Sequence, residues 1–430
     1  MFQREQPQLY QRVPGSPDGG TPSSPTSRGG PDTADWAIRK FGFIICIMAS
    51  IAAMAAFGKN ARQFIATASD SSTLPFRAVH SPEDDPDESA PWPRLAWLMS
   101  FPNSGTSFTM RMVGRVTGLT AATNYGKECV EKDGKNVPLF QESPGGPFIL
   151  NPNDREIPDR YVMTKTHCGG RCQTCGPSKY IETPESFLDA CLTGGHYIPK
   201  ADANGKDDDR NKSGSSSATS LKDMEFVNSK YDKKLVQRAI HLIRDPFDNL
   251  VSRFHLEQHE KTKQNRTEWL QTYPNTAEGF QSWCGYMDGK SLKDETKSDL
   301  IDDKVRSLFK KIPCHGDFYR YTQWHNLALN VVEDLDLPTL VVHYENYERN
   351  YEGAVDTILD FLELPRNNAL PEFIAGKRYK SLYFSDKQRL AALELIRYLA
   401  DEETWELLVR YDDTSELEDM MAEKEATEKQ

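Results

Sequence analysis

The sequence predicts an α/β fold, a parallel sheet flanked by helices, preceded by one apolar helix that stands apart from it. Three observations carry this. Short unbroken apolar runs, LAWLMSF at 95–101, RAIHLI at 238–243 and TLVVHYE at 339–345, have the length of strands and lack alternation, as strands covered on both faces do. Two of these runs pass through a polar turn into a helix-periodic stretch, the strand–turn–helix order from which parallel sheets are built. Separately, Phe41 to Phe57 (FGFIICIMASIAAMAAF) carries no charge and is bracketed by Arg39 and Lys40 before it and Lys59 and Arg62 after it.

From the N-terminus, residues 1–38 are rich in Gly, Pro, Ser, Thr and Gln, a composition that buries too little apolar surface to order itself, and read as a disordered cytoplasmic tail. Residues 39–59 read as a transmembrane anchor. The run is near the lower limit of about 17 residues for a span, which suits a thinner membrane such as that of the Golgi. A cleaved signal peptide fits less well, since the apolar run starts some forty residues in, behind a long polar stretch. Residues 60–93, with Asp84, Asp85, Asp87, Glu88 and several prolines, form a stem. The folded domain is expected over 94–412 and an acidic tail over 413–430.

The formal net charge is −12, and Asp401 to Gln430, with twelve acidic and three basic residues, supplies −9 of it. A near-neutral body with an acidic end has no basic footprint for a duplex, so nucleic acid is not an expected partner. Small anions remain possible wherever positive groups converge locally.

The first such place comes after the run at 95–101. Pro102-Asn103-Ser104-Gly105-Thr106-Ser107 leads into FTMRMVGRV, so a helix N-terminus with its outward N–H groups sits among Ser and Thr hydroxyls, suited to a phosphate or sulfate. Gly105 lets the backbone approach such a ligand. The turn is P-loop-like, yet it lacks the Gly-Lys-Ser/Thr ending of nucleoside triphosphatases. The second place comes after the run at 238–243. Arg244-Asp245-Pro246 opens a helix FDNLVSRFHLEQHE, with Ser252 eight residues beyond Arg244, so that a guanidinium fork and a hydroxyl are available to one phosphate.

Together these segments resemble the sulfotransferases that use 3′-phosphoadenosine-5′-phosphosulfate (PAPS). SFPNSGTSFT is similar to their 5′-phosphosulfate loop and HLIRDPFDNLVSRF to their 3′-phosphate motif. YVMTKTH at 161–167 resembles the strand ending in Lys-Thr-His, and TLVVHYE with NYERNYEGAVDTILDFLELP resembles the late strand and helix. The likeness spans roughly Leu95 to Tyr411. It implies sulfuryl transfer from PAPS to an acceptor hydroxyl without a metal. Asn103, Ser104, Gly105, Thr106, Ser107, Arg244, Ser252 and Tyr344 would hold the nucleotide, His167 would take the hydroxyl proton, and Lys165, on the same face of its strand, would reach the sulfuryl oxygens.

One position departs from the pattern. The family loop commonly carries Lys or Arg just before Ser-Gly, and Asn103 stands there, leaving charge on the departing oxygen to Lys165, Arg111 or another residue. The expected enzyme is a single-pass type II protein of the Golgi membrane acting on a lumenal glycan. A membrane-tethered small-molecule sulfotransferase and a catalytically silent PAP- or PAPS-binding relative are the alternatives.

Of eight cysteines, seven lie in the large domain; Cys168-Gly-Gly-Arg-Cys172-Gln-Thr-Cys175 suits lumenal disulfides better than zinc, for which Cys191 or His196 would complete the set. Asn211-Lys212-Ser213 and Asn265-Arg266-Thr267 are glycosylation patterns, Ala201 to Ser220 reads as an inserted surface loop, and Phe318 to Trp324 as core. His241, His325 and His343 are expected to be structural.

Overall fold

The computed structural model describes residues 92–129, 136–151, 154–170, 183–199, 224–299, 301–374, 376 and 378–428. The apolar run at 41–57, the stem up to residue 91, Cys172, Cys175, the Asn211 pattern and the insertion at 201–220 lie outside them. Among the described residues no helix is long and apolar enough to cross a membrane.

A six-stranded sheet runs through the domain: β1 (Arg94–Ser100), β2 (Ala122–Thr123), β3 (Phe148–Ile149), β4 (Tyr161–Thr166), β7 (Val236–Ile243) and β8 (Thr339–His343), in the order β3-β2-β4-β1-β7-β8. All pairings are parallel except β2 with β3 at the edge. A separate antiparallel hairpin joins β5 (Thr193–Pro199) to β6 (Met224–Lys230). The helices that matter for the site are α1 (Thr106–Thr117), α2 (Pro184–Cys191), α3 (Pro246–Lys263), α4 (Ala277–Lys297), α5 (His315–Asp334), α6 (Tyr351–Phe361), α7 (Asp386–Leu399) and α8 (Thr414–Glu428).

Every residue of β1, β4, β7 and β8 is buried, which explains the unbroken apolar runs. Side chains alternate between two layers. Leu95, Trp97 and Met99 join Phe247, Phe254, Phe318 and Trp324 on one face, while Ala96 and Leu98 join Val113, Val116, Val355 and Ile358 on the other. Within the acidic stretch, Thr414–Glu428 is helical as α8, and Leu417 on that helix is buried.

Disulfides join Cys168 to Cys191 and Cys284 to Cys314. The first takes two of the thiolates a zinc site there would have needed. Cys129 is a buried free thiol.

At the junction of α4 and α5, His315 is held between two carboxylates, with Nε2 2.8 Å from Glu295 and Nδ1 3.4 Å from Asp288, while Phe309 stacks on its ring at 4.2 Å. Burial pulls the imidazole down, but the hydrogen bonds and charges of Asp288 and Glu295 outweigh it and raise its pKa to about 9. A histidine whose folded pKa exceeds its unfolded value contributes stability that is complete below about pH 6.5 and lost as pH rises through 9. Unfolding free energy from urea titrations is therefore expected to fall between pH 6.5 and 9, with a slope approaching about 1.4 kcal/mol per pH unit. His315→Gln should flatten that segment; an unchanged slope in the variant would remove His315 as its source.

Candidate active site

Parallel pairing sets the carboxyl ends of four strands side by side, since Met99 is in register with Thr166, Ser100 with Leu242, and Ile243 with His343. The segments leaving these strands therefore meet in one place: the loop 101–105 after β1, His167 after β4, Arg244 after β7 and Tyr344 after β8. Ligands collect at this edge of an open parallel sheet.

The loop after β1 bends through two left-handed residues, Asn103 at φ 71° and Gly105 at φ 99°. Gly105 caps α1 without a side-chain hydrogen bond; Phe108 N donates to Gly105 O at 3.0 Å, and no cap side chain takes up the N–H groups of Thr106 and Ser107. A Cβ on Gly105 would overlap the ring of Tyr344, so both the positive φ and the close approach require glycine there. The hydroxyls divide. Ser104 is buried and accepts from Asn249 Nδ2 at 3.0 Å, Thr106 is buried with its Oγ1 2.5 Å from Ser100 Oγ, and Ser107 is exposed. Asn103 Nδ2 is buried without a hydrogen-bond partner among the described residues, a donor left for a ligand oxygen.

Arg244 reaches the same loop. Its Nη1 donates to Asn103 O at 3.0 Å, and its guanidinium lies 4.9 Å from the centre of the Tyr344 ring. Both phosphate-type turns and Tyr344 thus meet in one cleft. Ser252 is half-buried on α3, two turns beyond Arg244. Beneath Arg244, Asp245 caps α3 by accepting from Phe247 N at 2.8 Å and Asp248 N at 3.2 Å. Burial first, and the Asp248 charge next, push the Asp245 carboxyl up to about 7. Glu345 anchors this turn from the end of β8, accepting from Asp245 N at 2.9 Å and from the Tyr411 hydroxyl at 2.6 Å. Arg378 lies beside Asp248 at 3.5 Å and Glu345 at 3.7 Å.

His167 is half-buried, with Nδ1 2.8 Å from Ser100 O. A carbonyl only accepts, so this bond places the proton on Nδ1 and leaves Nε2 as the basic nitrogen of the neutral ring. Tyr125 stacks on the imidazole with centroids 5.6 Å apart.

Lys165 has a partner within the protein. It is buried, and its Nζ pairs with Glu128 at 2.6 Å, so its charge is already met by a protein carboxylate. Arg111 is exposed and donates to Ser107 O at 3.1 Å. Trp324 is core, as its segment predicted, but its indole N–H also donates to His167 O at 2.8 Å.

Asn249, Tyr125, Glu128, Glu345 and Trp324 escaped the sequence reading as parts of this site. Only Asn249 had a signal, lying in the first turns of the helix that Arg244 opens. Among the described residues no group of three or more His, Cys, Asp or Glu is arranged to hold a metal ion.

Alanine at position 244 removes the fork that joins the two turns. Arg244→Ala is expected to weaken PAP binding about 10- to 100-fold, the scale of a charge-assisted bond to phosphate, with Ser252→Ala smaller in the same direction. Calorimetric titration with PAP checks this, and equal affinity for wild type and Arg244→Ala would refute the assignment.

A family model described as "Sulfotransferase domain" matches residues 93–392, more than half of the chain and all of the cleft's strands. A search of curated proteins finds no match.

Proposed function

The chain belongs to the sulfotransferase family, and from that membership we propose that it sulfates a hydroxyl of a glycan in the Golgi lumen, tethered by the apolar run at 41–57. Membership implies PAPS as the donor, which supplies a sulfuryl group already joined to a good leaving phosphate. The single observation that carries the reading is the convergence of the Gly105 turn, Arg244 and Tyr344 in one cleft. The residues fit the donor. Uncapped N–H groups at α1 and the unpartnered Asn103 amide suit its 5′ anionic end, and Arg244, with Ser252 beyond it, suits the 3′-phosphate.

In this reading His167 Nε2 removes the acceptor's proton as its oxygen bonds to sulfur, and the bond from sulfur to the phosphate oxygen breaks. The remaining work is placement and charge neutralisation, as in phosphoryl transfer. Asn103 donates without charge, so electrostatic stabilisation falls to the α1 N-terminus and to Lys165 once it exchanges Glu128 for a ligand oxygen.

Lumenal location is supported by two buried disulfides, which form in oxidising compartments, and by exposure of Asn265 in its Asn-Arg-Thr pattern. The test is transfer of radiolabelled sulfate from PAPS by the full-length protein in detergent, against glycans and phenols. Label on glycans alone supports the proposal, label on phenols alone indicates a small-molecule enzyme, and PAP binding without transfer to any acceptor indicates a silent relative.

A further inference from the structure

The chain around His167 is fixed far more firmly than its sequence neighbourhood suggests. Directly after β4 it reverses through two left-handed residues, Cys168 at φ 47° and Gly169 at φ 71°. Each backbone group of His167 is taken up within this reversal. Its N–H donates to the Tyr125 hydroxyl at 2.8 Å, and its carbonyl accepts from both Gly170 N and Trp324 Nε1 at 2.8 Å. A Cβ on Gly170 would fall 2.6 Å from Trp324 Nε1, so indole and turn are in close contact. The next residue, Cys168, is fully buried and covalently tied to Cys191 at the end of α2, whose own carbonyl accepts from Asn124 Nδ2 at 2.5 Å. Trp324 in turn is wedged edge-on against Phe187 of α2 at 5.7 Å and Phe101 of the donor loop at 6.3 Å.

We propose that Trp324 and the Cys168–Cys191 disulfide are positioning residues for sulfuryl transfer, holding His167 so that Nδ1 stays on Ser100 O and Nε2 is presented to the acceptor. The inference rests on the reading of His167 as proton acceptor. Neither group reaches the reacting atoms; both act through the backbone of one histidine. The indole N–H fixes its carbonyl from α5, and the disulfide fixes the following Cα from α2. Without either clamp the imidazole would swing with its turn, and misplacement of a catalytic group by about 1 Å is worth up to about 10²-fold in rate.

Four variants of the full-length protein decide this: Trp324→Phe, which keeps an aromatic ring in place but removes the N–H and the five-membered ring that carries it; the double variant Cys168→Ala/Cys191→Ala; the control Cys284→Ala/Cys314→Ala, which removes the other disulfide; and His167→Ala. The expected result is a fall in kcat of about 10- to 100-fold for the first two, with PAP affinity within about twofold of wild type and the acid limb of the pH–rate profile displaced. The control should lose thermal stability and keep its kcat. Wild-type kcat and pH profile in Trp324→Phe, with His167→Ala inactive, would overturn the positioning role while leaving the base in place. Full turnover by His167→Ala would remove the base assignment and this inference with it. If the Cys168/Cys191 variant does not fold, Trp324→Phe alone gives the answer.

Discussion

His167→Ala is expected to lower kcat about 10²- to 10⁴-fold while PAP affinity stays at the wild-type level. The size comes from the group removed, a base whose neutral ring carries its proton on Nδ1, 2.8 Å from Ser100 O, and so has its lone pair on Nε2. The selectivity comes from where it stands, since the groups assigned to the nucleotide lie after β1, β7 and β8, and His167 lies after β4. Single-turnover transfer with saturating PAPS measures the chemical step, and titration with PAP measures binding. A His167→Ala enzyme that turned over normally would shift the search for the base to Glu128, the carboxylate joined to the same cleft through Lys165.

Asp317→Ala should produce the largest loss of stability. Arg253 of α3 and Asp317 of α5 form an ion pair with both side chains buried, and Arg253 Nε and Nη2 have no hydrogen-bond partner among the described residues. Removing the carboxylate leaves a guanidinium stranded in the core beside Trp283, at a cost of about 3–5 kcal/mol. Replacing both residues with apolar ones of similar volume should restore most of that loss, because the penalty belongs to the uncompensated charge rather than to the missing contact. Urea unfolding of the single and double variants measures both values; a single variant within about 1 kcal/mol of wild type would show that Arg253 finds other compensation.

Much of the fold was legible because parallel strands leave a strong trace. Complete burial on both faces favours apolar residues in β1 and β7, and a turn that approaches the Tyr344 ring forbids a side chain at Gly105. β4 and β8 are buried in the same way, so the ends of these four strands were marked, and with them the places of Arg244, His167 and Tyr344. The hidden contacts are held across long separations. Trp324 meets His167 over 157 positions, Asn249 meets Ser104 over 145, and neither pairing alters local periodicity. Lys165 shows a different limit: alternation along β4 gave its face, but its partner Glu128 lies in a single turn of 3₁₀ helix with no pattern of its own. At the end of the chain the helix had no signal, because acidic residues surround Leu417 and leave no apolar period to read.

The buried thiol of Cys129 has a use of its own. It packs behind the edge strand β3, its Sγ 3.8 Å from Phe148 O, and burial, reinforced by the Glu128 charge, pushes its pKa up to about 12. At ordinary pH it is neither ionised nor accessible, so an alkylating reagent can mark it only when that margin of the sheet opens. The rate of labelling becomes a clock for breathing at one chosen border of the molecule, readable without any engineered residue.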